Sequence, residues 1–580
     1  MHLSLYLCRS FSSIYIKFLW AIEDQYVTKT FNFLIESYIR LKPSLKWQCV
    51  NNSTLSSHAS TAQTSPIRYV WLSCACSRQT LIGAFDGNAS MCGNTPLYKE
   101  VSGTSGLFFS HFQSPIWLLE TYVPSAIYLC LTNHQIISAF DNPAYHWRSI
   151  VTTLLIGKYS FETYVSYRQY KEQCKTEPPA LIKNEITKET FDKSQEYSRA
   201  KSSFDFVKST FNLVKDLAYI KFDLYQKLWS WSGSLLSSLS QVSVIGRFFG
   251  SGLISQSLVL FVLTSVIGNF ELLPFSYYND FVLEEKFGFN KSTVKLWVSD
   301  TIKLALVLLV LGGPAVYGFL KIIDHFGTSF ISYACAFTLL LQLILMTIMP
   351  NLILPLFYKL TPIEDGELKT EIEKLATKNG FPLSGVYVID GSSRSGHSNA
   401  FFSGLPWSQQ IVLFDTLIDH STTKEIIAVL AHEIGHWKLN HVYQLLLSNQ
   451  ASVTLTCVLY RAFIENKSFF HSFGFFHDYP PMIAFVLFSY VSAPVDCAVE
   501  FATKLVSRKN EYQADNFAKA QGYSEDLASA LIKLEVEDLS SFRIDWLYSA
   551  YRQNHPTLVE RLNALGYISK EKAEQPQVNI

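Results

Sequence analysis

Two histidines with a glutamate between them are the part of this sequence best suited to chemistry. The segment Leu430–Trp437 reads LAHEIGHW, and its two histidines, His432 and His436, are four residues apart in a helical stretch. Side chains at this spacing lie on one face of an α-helix, so both imidazoles can reach a single zinc ion. Glu433 follows the first histidine and stands where a carboxylate can take a proton from a metal-activated water. The pattern predicts hydrolytic zinc chemistry with Glu433 as the general base.

A catalytic zinc site takes three protein ligands and keeps one position open, so the pair needs a partner from elsewhere in the chain. The best candidate is Glu511, in the stretch Ser507–Asp515 (SRKNEYQAD) that follows a long apolar segment. Asp515 lies one helical turn further on and is placed to orient a zinc-binding histidine through its ring. Taken alone, this stretch favours an ordinary acidic surface helix. Together with the histidine pair, it favours a ligand.

The composition indicates a membrane protein. Of the 580 residues, 48% are hydrophobic and only 17% are charged, which is apolar for a soluble enzyme of this size. The formal net charge is zero, so the sequence does not predict nucleic acid as a partner. The ten cysteines include no C-x-x-C pair, and we predict neither a disulfide framework nor a cysteine metal site.

Hydrophobic stretches long enough to span a bilayer recur along the chain. Five are clear: Leu253–Phe275, Ile302–Ile323, Phe330–Leu356, Val442–Ile464 and Met482–Leu505. Two weaker ones are Trp147–Tyr167 and Leu217–Val242, the second of which carries charged residues in its first half. Buried helices of a soluble core are the alternative, but the number of long segments favours a helical membrane bundle.

Lysine placement gives an independent indication of topology. We number the seven stretches in chain order, beginning with Trp147–Tyr167. The connections after the first, third and fifth stretches and the segment after the seventh contain lysine, whereas the connections after the second and fourth contain few basic residues. Alternation of this kind follows the positive-inside rule for seven spans. It places the HExxH motif in a cytosolic segment between the fifth and sixth spans.

That cytosolic segment has the pattern of a small α+β unit. Gly366–Lys378 is amphipathic and predicts a helix. Three stretches have strand character: Val386–Ile389, Asn399–Phe402 and Ile411–Phe414. Thr422 and Glu425 form a capping-box signature that opens the HExxH helix. We expect this helix to run directly into the sixth span, which would put the metal near the membrane surface.

From about residue 148 to 566 the chain resembles the CAAX prenyl proteases of the integral-membrane zinc type. Six stretches carry the resemblance: Glu284–Asn290 (EEKFGFN), Ser395–Gly404 (SGHSNAFFSG), Ile411–Leu417 (IVLFDTL), Val429–His441 (VLAHEIGHWKLNH), Glu511–Ala518 (EYQADNFA) and His555–Leu565 (HPTLVERLNAL). The resemblance implies seven transmembrane helices around a water-filled chamber with the zinc site at its cytosolic end. It also implies the substrates, which are proteins ending in a prenylated Cys-a-a-X that lose their last three residues.

The resemblance carries roles over to individual residues. One Zn²⁺ per chain would be bound by His432, His436 and Glu511, with Glu433 as general base. His555 would donate to the developing oxyanion, although a surface histidine in a His-Pro turn is the simpler interpretation of the residue alone. The remaining assignments are Asp515 and Arg561 as supports of the ligands, and Asn399, Ala400 and Phe401 as an edge strand that binds the substrate backbone. His397 and His441 are interpreted as structural or solvated.

The sequence thus predicts a mainly α, polytopic membrane protein with a cytosolic zincin-like α+β unit. The predicted divisions are 1–145, an extension outside the resemblance; 146–360, spans one to five; 361–441, the zinc-protease unit; 442–505, spans six and seven; and 506–580, the cytosolic part with the third ligand. The resemblance places the protein in the endoplasmic reticulum or inner nuclear membrane, with the active site facing the cytosol. The expected partners are prenylated CAAX proteins and membrane lipid, and the oligomeric state stays open.

Two other functions compete with this one. A membrane quality-control protease of the HtpX type shares the zinc chemistry, but the Glu284–Asn290 stretch and the seven spans favour a prenyl-protein endopeptidase. An inactive membrane scaffold is the second alternative. It is disfavoured by the complete set of His432, Glu433, His436 and Glu511, which a protein without catalytic activity would not need.

Overall fold

Long helices make up most of the structure. The computed structural model describes residues 138–241, 252–405 and 407–569, which belong to one structural unit, so nearly all of the predicted extension 1–145 lies outside the described residues. The helices that precede the HExxH unit are α1 Trp147–Gln173, α2 Lys188–Lys221, α3 Leu224–Ser240, α4 Leu253–Tyr278, α5 Val294–Phe326 and α6 Phe330–Ile348. Short π-helical segments, Asn279–Glu284 and Met349–Ile353, extend α4 and α6.

Within the described residues, four helices are long and apolar enough to cross a membrane. They are Leu253–Phe287, Val294–Phe326, Phe330–Phe357 and Pro481–Ala520. Apolar side chains on them face outward, since Phe270 is 68% exposed and Val310 is 67% exposed. Helices satisfy their own backbone hydrogen bonds, so such apolar faces suit contact with lipid. The prediction of a mainly α, multi-span membrane protein is confirmed, and all four helices overlap clear predicted stretches.

The predicted span Leu217–Val242 is wrong as a single helix. Helix α2 ends at Lys221 and α3 begins at Leu224, and between them Asp223 has a left-handed backbone with φ 54°. Aspartate tolerates this conformation better than most residues because its short polar side chain can hydrogen-bond locally. Here the carboxylate also pairs with Arg148. The charged first half of the stretch therefore ends α2, and the apolar half forms α3.

The α+β unit contains a four-stranded sheet. Its strands are β1 Leu360–Pro362, β2 Leu383–Ile389, β3 Ala400–Leu405 and β4 Ser408–Phe414, in the order β1-β2-β4-β3. β2 and β4 are parallel, whereas β1 and β3 pair antiparallel with their neighbours. The three predicted strands are confirmed. Strand β1 was not predicted, because three residues with an exposed burial pattern carry little period-two signal.

Helices surround this sheet and hold the HExxH motif. They are α7 Glu367–Asn379, α8 Asp415–His420 and α9 Thr423–Lys438. The predicted capping box is present at the start of α9, since Thr422 Oγ1 accepts from the Glu425 N–H and the Glu425 carboxylate accepts from the Thr422 N–H. Buried residues such as Ile372, Leu413 and Ile426 form one apolar core between sheet and helices. This core sets the position of α9.

The HExxH helix does not continue into the next apolar stretch as predicted. Helix α9 ends at Lys438, and a separate helix, α10 His441–Tyr460, begins after Asn440, whose φ is 59°. Asparagine is one of the few residues that adopt this left-handed conformation at low cost. The remaining helices are α11 Lys467–Ser472, α12 Pro481–Ala520, α13 Ser524–Glu537, α14 Trp546–Arg552 and α15 Leu558–Leu565.

Helix α12 connects the membrane bundle to the α+β unit. It spans 40 residues, its first half packs in the bundle core, and its second half contacts α9, α13 and α15. The close approach of α9 and α12 depends on Gly435, because a Cβ there would lie 3.1 Å from the Phe517 side chain and 3.3 Å from the Ala514 Cα. A glycine between the two histidines thus lets α12 reach the metal-binding face of α9.

Candidate metal centre

The two histidines of the motif face each other inside the protein. His432 is 5% exposed and His436 is 3% exposed, and their Nε2 atoms are 3.1 Å apart. This geometry follows from one helical turn between the residues and from the apolar packing of the opposite face of α9. The histidine pair is therefore assembled by local structure alone.

Glu511 comes from α12 and completes a cluster of three. One of its carboxylate oxygens lies 3.5 Å from Nε2 of His432, and the other lies 3.5 Å from Nε2 of His436. The three ligand atoms fall within 4.8 Å of one another, and all three residues are buried. Among the described residues, this is the one group of histidine, cysteine or acidic side chains with such a geometry. The structure therefore brings together the three predicted ligands.

Asp515 and Arg561 lie behind His432. Oδ1 of Asp515 is 2.8 Å from Nδ1 of His432. The guanidinium of Arg561 binds the same carboxylate through two hydrogen bonds, 2.6 Å from Nη2 to Oδ1 and 2.9 Å from Nε to Oδ2. A carboxylate in this position accepts the Nδ1 proton and directs Nε2 at the cluster. Both residues thus occupy the places that the sequence assigned to them.

His441 has an equivalent position behind His436, which the sequence did not predict. It is fully buried, its Nδ1 is 2.9 Å from Nδ1 of His436, and its Nε2 is 3.1 Å from Oε1 of Gln513. If Nε2–H of His441 donates to Gln513, its Nδ1 accepts the proton of His436, and Nε2 of His436 keeps its lone pair. The sequence interpreted His441 as structural or solvated rather than as a ligand, and the structure places it as a buried support of a ligand ring. A five-residue spacing is not a helical face, and only the break at Asn440 creates the contact.

The charges of the cluster favour a cation at its centre. Burial lowers the pKa of His432, but hydrogen bonds to Asp515 and Glu511 outweigh burial and raise it to about 9. Burial and the neighbouring His432 hold the pKa of His436 well below its usual value, so that ring stays neutral. Two imidazole nitrogens and a carboxylate thus converge where positive charge is stabilised. Two histidines and one glutamate form a donor set that suits zinc with one position left open.

Glu433 and His555 stand next to this cluster. Oε2 of Glu433 is buried and has no hydrogen-bond partner within the described part of the chain. A buried carboxylate oxygen without a partner is costly, and such atoms are common where a substrate or water must bind. Nδ1 of His555 is 2.7 Å from Oε2 of Glu511, and its side chain is 37% exposed. His555 therefore reaches the centre from the side open to solvent.

The predicted substrate strand lies at the edge of the sheet. β3 pairs with β4 on one side only, and α9 packs against it. The backbone carbonyl of Asn399 accepts from the N–H of Phe414, so backbone groups alternate between β4 and the free edge from there on. Ala400 and Phe402 consequently turn their backbone groups to the free edge. The Ala400 N–H is already capped by Oδ1 of Asn399 at 2.8 Å.

Phe401 differs from its predicted role. Phe401 pairs with Val412, and at this position the backbone N–H and C=O of Phe401 face β4. Its ring is buried against Leu354 and Ile389. Its neighbour Phe402, rather than Phe401, presents backbone hydrogen-bonding groups at the edge. The alternation of a strand explains the shift, because moving by one residue exchanges the two sides of the backbone.

The fold and the centre together define a membrane-bound metalloendopeptidase of the HExxH type. Two family models match the chain in succession, one for the CAAX prenyl protease N-terminal region with five membrane helices over residues 167–359, and one for peptidase family M48 over residues 362–569. CAAX prenyl protease 1 of Saccharomyces cerevisiae is 45% identical over 447 residues, covering 74% of this chain and 98% of the yeast protein. The chain belongs to the M48 family of CAAX prenyl proteases.

Further relatives agree with this assignment. The CAAX prenyl protease 1 homolog of Homo sapiens is 35% identical over 446 residues, covering 70% of this chain and 92% of the human protein. The crystal structure of S. mikatae Ste24p is similar with a TM-score of 0.69 and 46% identity, covering 73% of this chain and all of that chain. The M48 family is zinc-dependent, so the protein is a zinc metalloendopeptidase.

Proposed function

We propose that this protein removes the C-terminal aaX tripeptide from prenylated CAAX proteins. The observation that carries the proposal is the convergence of His432, His436 and Glu511 in a chain that spans 98% of the yeast CAAX prenyl protease 1. The peptidase unit supplies the hydrolytic groups. The apolar helices attached to it suit a substrate that carries a lipid on the cysteine beside the scissile bond.

One Zn²⁺ per chain would be held by His432, His436 and Glu511. Zinc at this position would acidify water and polarise the scissile carbonyl. Asp515 and Arg561 fix the ring of His432, and His441 fixes the ring of His436, each through the ring nitrogen that faces away from the cluster. With Nδ1 held in this way, Nε2 of each ring faces the cluster and is the nitrogen that would bind a metal once it has lost its proton.

The contact of His441 leads to a prediction about zinc affinity. His441→Phe keeps the ring volume but cannot accept the proton of His436, and we expect zinc affinity to fall about 10- to 100-fold. His441→Asn retains an acceptor and should recover part of the loss. Competition with a chelator measures both values. Equal zinc affinity in His441→Phe and wild type would show that the contact does not orient the ligand.

Glu433 is the general base in this proposal. Its buried Oε2 takes the proton of the attacking water and returns it to the leaving amine, which requires no partner that competes for the oxygen. A His555 ring that carries both protons would donate Nδ1–H to Glu511 and Nε2–H to the oxygen of the scissile carbonyl as negative charge develops there. The proton transfers thus need only the two side chains beside the cluster.

The substrate backbone would bind along the free edge of β3. Asn399 lies where β3 begins, and Ala400 and Phe402 present backbone groups to the open side. Addition of an extended peptide to an exposed edge is a common mode of recognition, in which main-chain hydrogen bonds supply affinity for many sequences. This mode fits a protease whose substrates share a cysteine and a terminus but differ at the aliphatic positions.

The topology that accompanies this function has seven spans, formed by α1, α3, α4, α5, α6, α10 and α12. The alternating lysines support it, as does the family match, whose five membrane helices over residues 167–359 overlap α3 to α6 and the end of α1. The spans would enclose a chamber, with the α+β unit on the cytosolic side of the endoplasmic reticulum or inner nuclear membrane. The divisions at residues 145, 360, 441 and 505 follow from this arrangement, and lipid is the surrounding partner.

A comparison of two peptides tests the proposed function. We expect the full-length protein in detergent or lipid nanodiscs to release the tripeptide from a farnesylated Cys-a-a-X peptide, as detected by mass spectrometry. The same peptide without the farnesyl group should be cleaved far more slowly, and removal of zinc with a chelator should stop cleavage. Equal cleavage of both peptides would instead support the broader quality-control activity. Cleavage that resists the chelator would exclude the metal mechanism.

A further inference from the structure

A second polar cluster lies at the point where the chain enters strand β3. The segment Arg394–His397 precedes Asn399, and its first residue is bound to a membrane helix. Arg394 Nε is 2.8 Å from Oδ2 of Asp300 on α5, and Arg394 Nη2 is 3.2 Å from Oδ1 of the same carboxylate. The guanidinium also stacks over Tyr358, 4.6 Å from the ring centre. The beginning of the segment is thus anchored to the bundle.

The backbone of the segment is attached to the loop that follows α4. The N–H of Lys291 donates to the carbonyl of Arg394 at 3.1 Å, and the N–H of Gly396 donates to the carbonyl of Phe289 at 3.0 Å. Between them, Asn290 and Ser395 form an antiparallel bridge. Two separate parts of the sequence therefore form a short ladder directly before the edge strand.

His397 is the side chain that closes this junction. Its ring stacks on Phe289 with 4.2 Å between ring centres. Nδ1 lies 2.9 Å from Oδ1 of Asp538, in the turn after α13, and Nε2 lies 3.6 Å from Oε2 of Glu284, at the cytosolic end of α4. Its carbonyl accepts from Thr416 Oγ1 at 3.1 Å. One imidazole thus joins three elements to the start of β3.

Glu284 is itself held in place for this contact. The hydroxyl of Tyr197 on α2 lies 2.9 Å from both of its carboxylate oxygens, and Nζ of Lys201 lies 3.6 Å from one of them. Glu284 belongs to the π-helical segment that extends α4. Any displacement of this end of α4 is therefore transmitted to the ring of His397.

We infer that His397 is a positioning residue that holds the peptide-binding edge of β3 against the cytosolic end of α4. The inference rests on the proposed function, because it concerns the strand that binds the substrate backbone. His397 stands two residues before Asn399, so its three contacts set where the free edge begins relative to α9. It touches neither the metal ligands nor the general base.

The size and type of the effect follow from this role. Loss of His397 leaves the zinc cluster intact but lets the edge strand move, which weakens contacts that are equally strong in the bound substrate and the transition state. Loss of such uniform binding raises KM and leaves kcat unchanged. The charge-assisted hydrogen bond of His397 to Asp538 is of the stronger kind, and its loss together with the ion pair to Glu284 corresponds to a rise in KM of about tenfold.

The charge on His397 adds a dependence on pH. Burial lowers the pKa of His397, but the hydrogen bond to Asp538 and the nearby carboxylate of Glu284 outweigh burial and raise it to about 9. The groups that face the ring are Glu284 and Asp538, and those behind Glu284 are Tyr197 and Lys201. Because the folded pKa is raised, the pairing is complete below the ordinary pKa of about 6.5 and is lost as pH rises through 9. The wild-type KM should rise over this range.

The test compares steady-state kinetics of full-length variants on the farnesylated Cys-a-a-X peptide. We expect His397→Gln to raise KM about tenfold with kcat changed less than about twofold. Asp538→Asn should raise KM less, because Glu284 remains, and the two changes together should be less than additive. His420→Gln, at an exposed histidine of the same α+β unit, is the matched control and should match wild type.

Further measurements separate the possible failures. The ratio of KM in His397→Gln to KM in wild type should approach one above pH 9. Taking this ratio removes the effects of titrating groups on the substrate and in the metal centre, because they are the same for both proteins. Unchanged KM in both His397→Gln and Asp538→Asn would overturn the inference, as would a fall in kcat or zinc content with KM unchanged. Failure of the proposed function would give a different result, because the wild type would then cleave the unprenylated peptide as fast as the farnesylated one. In that case the KM values of His397→Gln and wild type can be compared on the unprenylated peptide, which still tests the role of His397.

Discussion

Glu433→Gln is expected to reduce kcat by roughly 10²- to 10⁴-fold while zinc stays bound, which is the usual contribution of a positioned general base. The substitution keeps the shape of the side chain and removes its ability to accept a proton. The metal ligands are untouched, because His432, His436 and Glu511 do not depend on the Glu433 carboxylate for a contact in the structure. Single-turnover kinetics with the farnesylated peptide, together with zinc analysis, measures the two effects separately.

The control for this experiment is Glu373→Gln, at an exposed glutamate of α7 in the same unit. It makes the same chemical change outside the centre and should retain wild-type kcat. Cleavage by Glu433→Gln at the wild-type rate would contradict the assignment of the base. Loss of zinc in that variant would show instead that Glu433 supports metal binding.

Glu511→Gln should have the largest effect on metal binding. Loss of a group that only supports a ligand lowers zinc affinity about 10- to 100-fold. Removing the charge of the ligand itself should lower zinc affinity by more than this. The amide keeps the volume in a site where Glu511 is 6% exposed, so the packing of α9 on α12 is preserved. Zinc content after dialysis against a weak chelator is the measurement, and activity should fall in parallel.

Asp515→Asn provides the graded comparison on the same helix. Asp515 contacts the ring of His432 rather than the cluster centre. We therefore expect the zinc affinity of the Asp515→Asn protein to lie between those of wild type and Glu511→Gln. A Glu511→Gln protein that retained one zinc per chain through dialysis would rule out Glu511 as the third ligand. The order of the three proteins therefore tests the assignment of direct and supporting contacts.

Local patterns determined much of this protein in advance. The four-residue spacing of His432 and His436, the capping box at Thr422, and the strand character of the stretches that form β2 and β4 each depend on residues close in sequence, and all are present in the structure. The same holds for the long apolar segments, because a span needs only length and composition. Such features are readable because backbone geometry repeats with a fixed period.

Local patterns did not predict where two of the long helices end. Asp223 divides a stretch of spanning length, and Asn440 divides the HExxH helix from α10, each through one residue with positive φ. The apolar pattern on either side does not record such a turn, since Asp and Asn also occur within helices. Both residue types adopt the left-handed backbone more readily than most, because their short polar side chains can hydrogen-bond locally.

The sequence by itself determined the chemistry of the centre: two histidines, a base and a candidate third ligand, on helices of a membrane protein. Asp515 and Arg561 were also expected beside them, whereas other contacts were decided only by the tertiary structure. It placed His441 behind His436, turned Phe402 rather than Phe401 to the free edge, and joined His397 to Glu284 and Asp538. The reason is physical. His397, Glu284 and Asp538 lie far apart in the chain, so their contacts depend on how the helices and the sheet pack together. The contact of His441 with His436 is close in sequence but needs the helix break at Asn440, which no period in the sequence records.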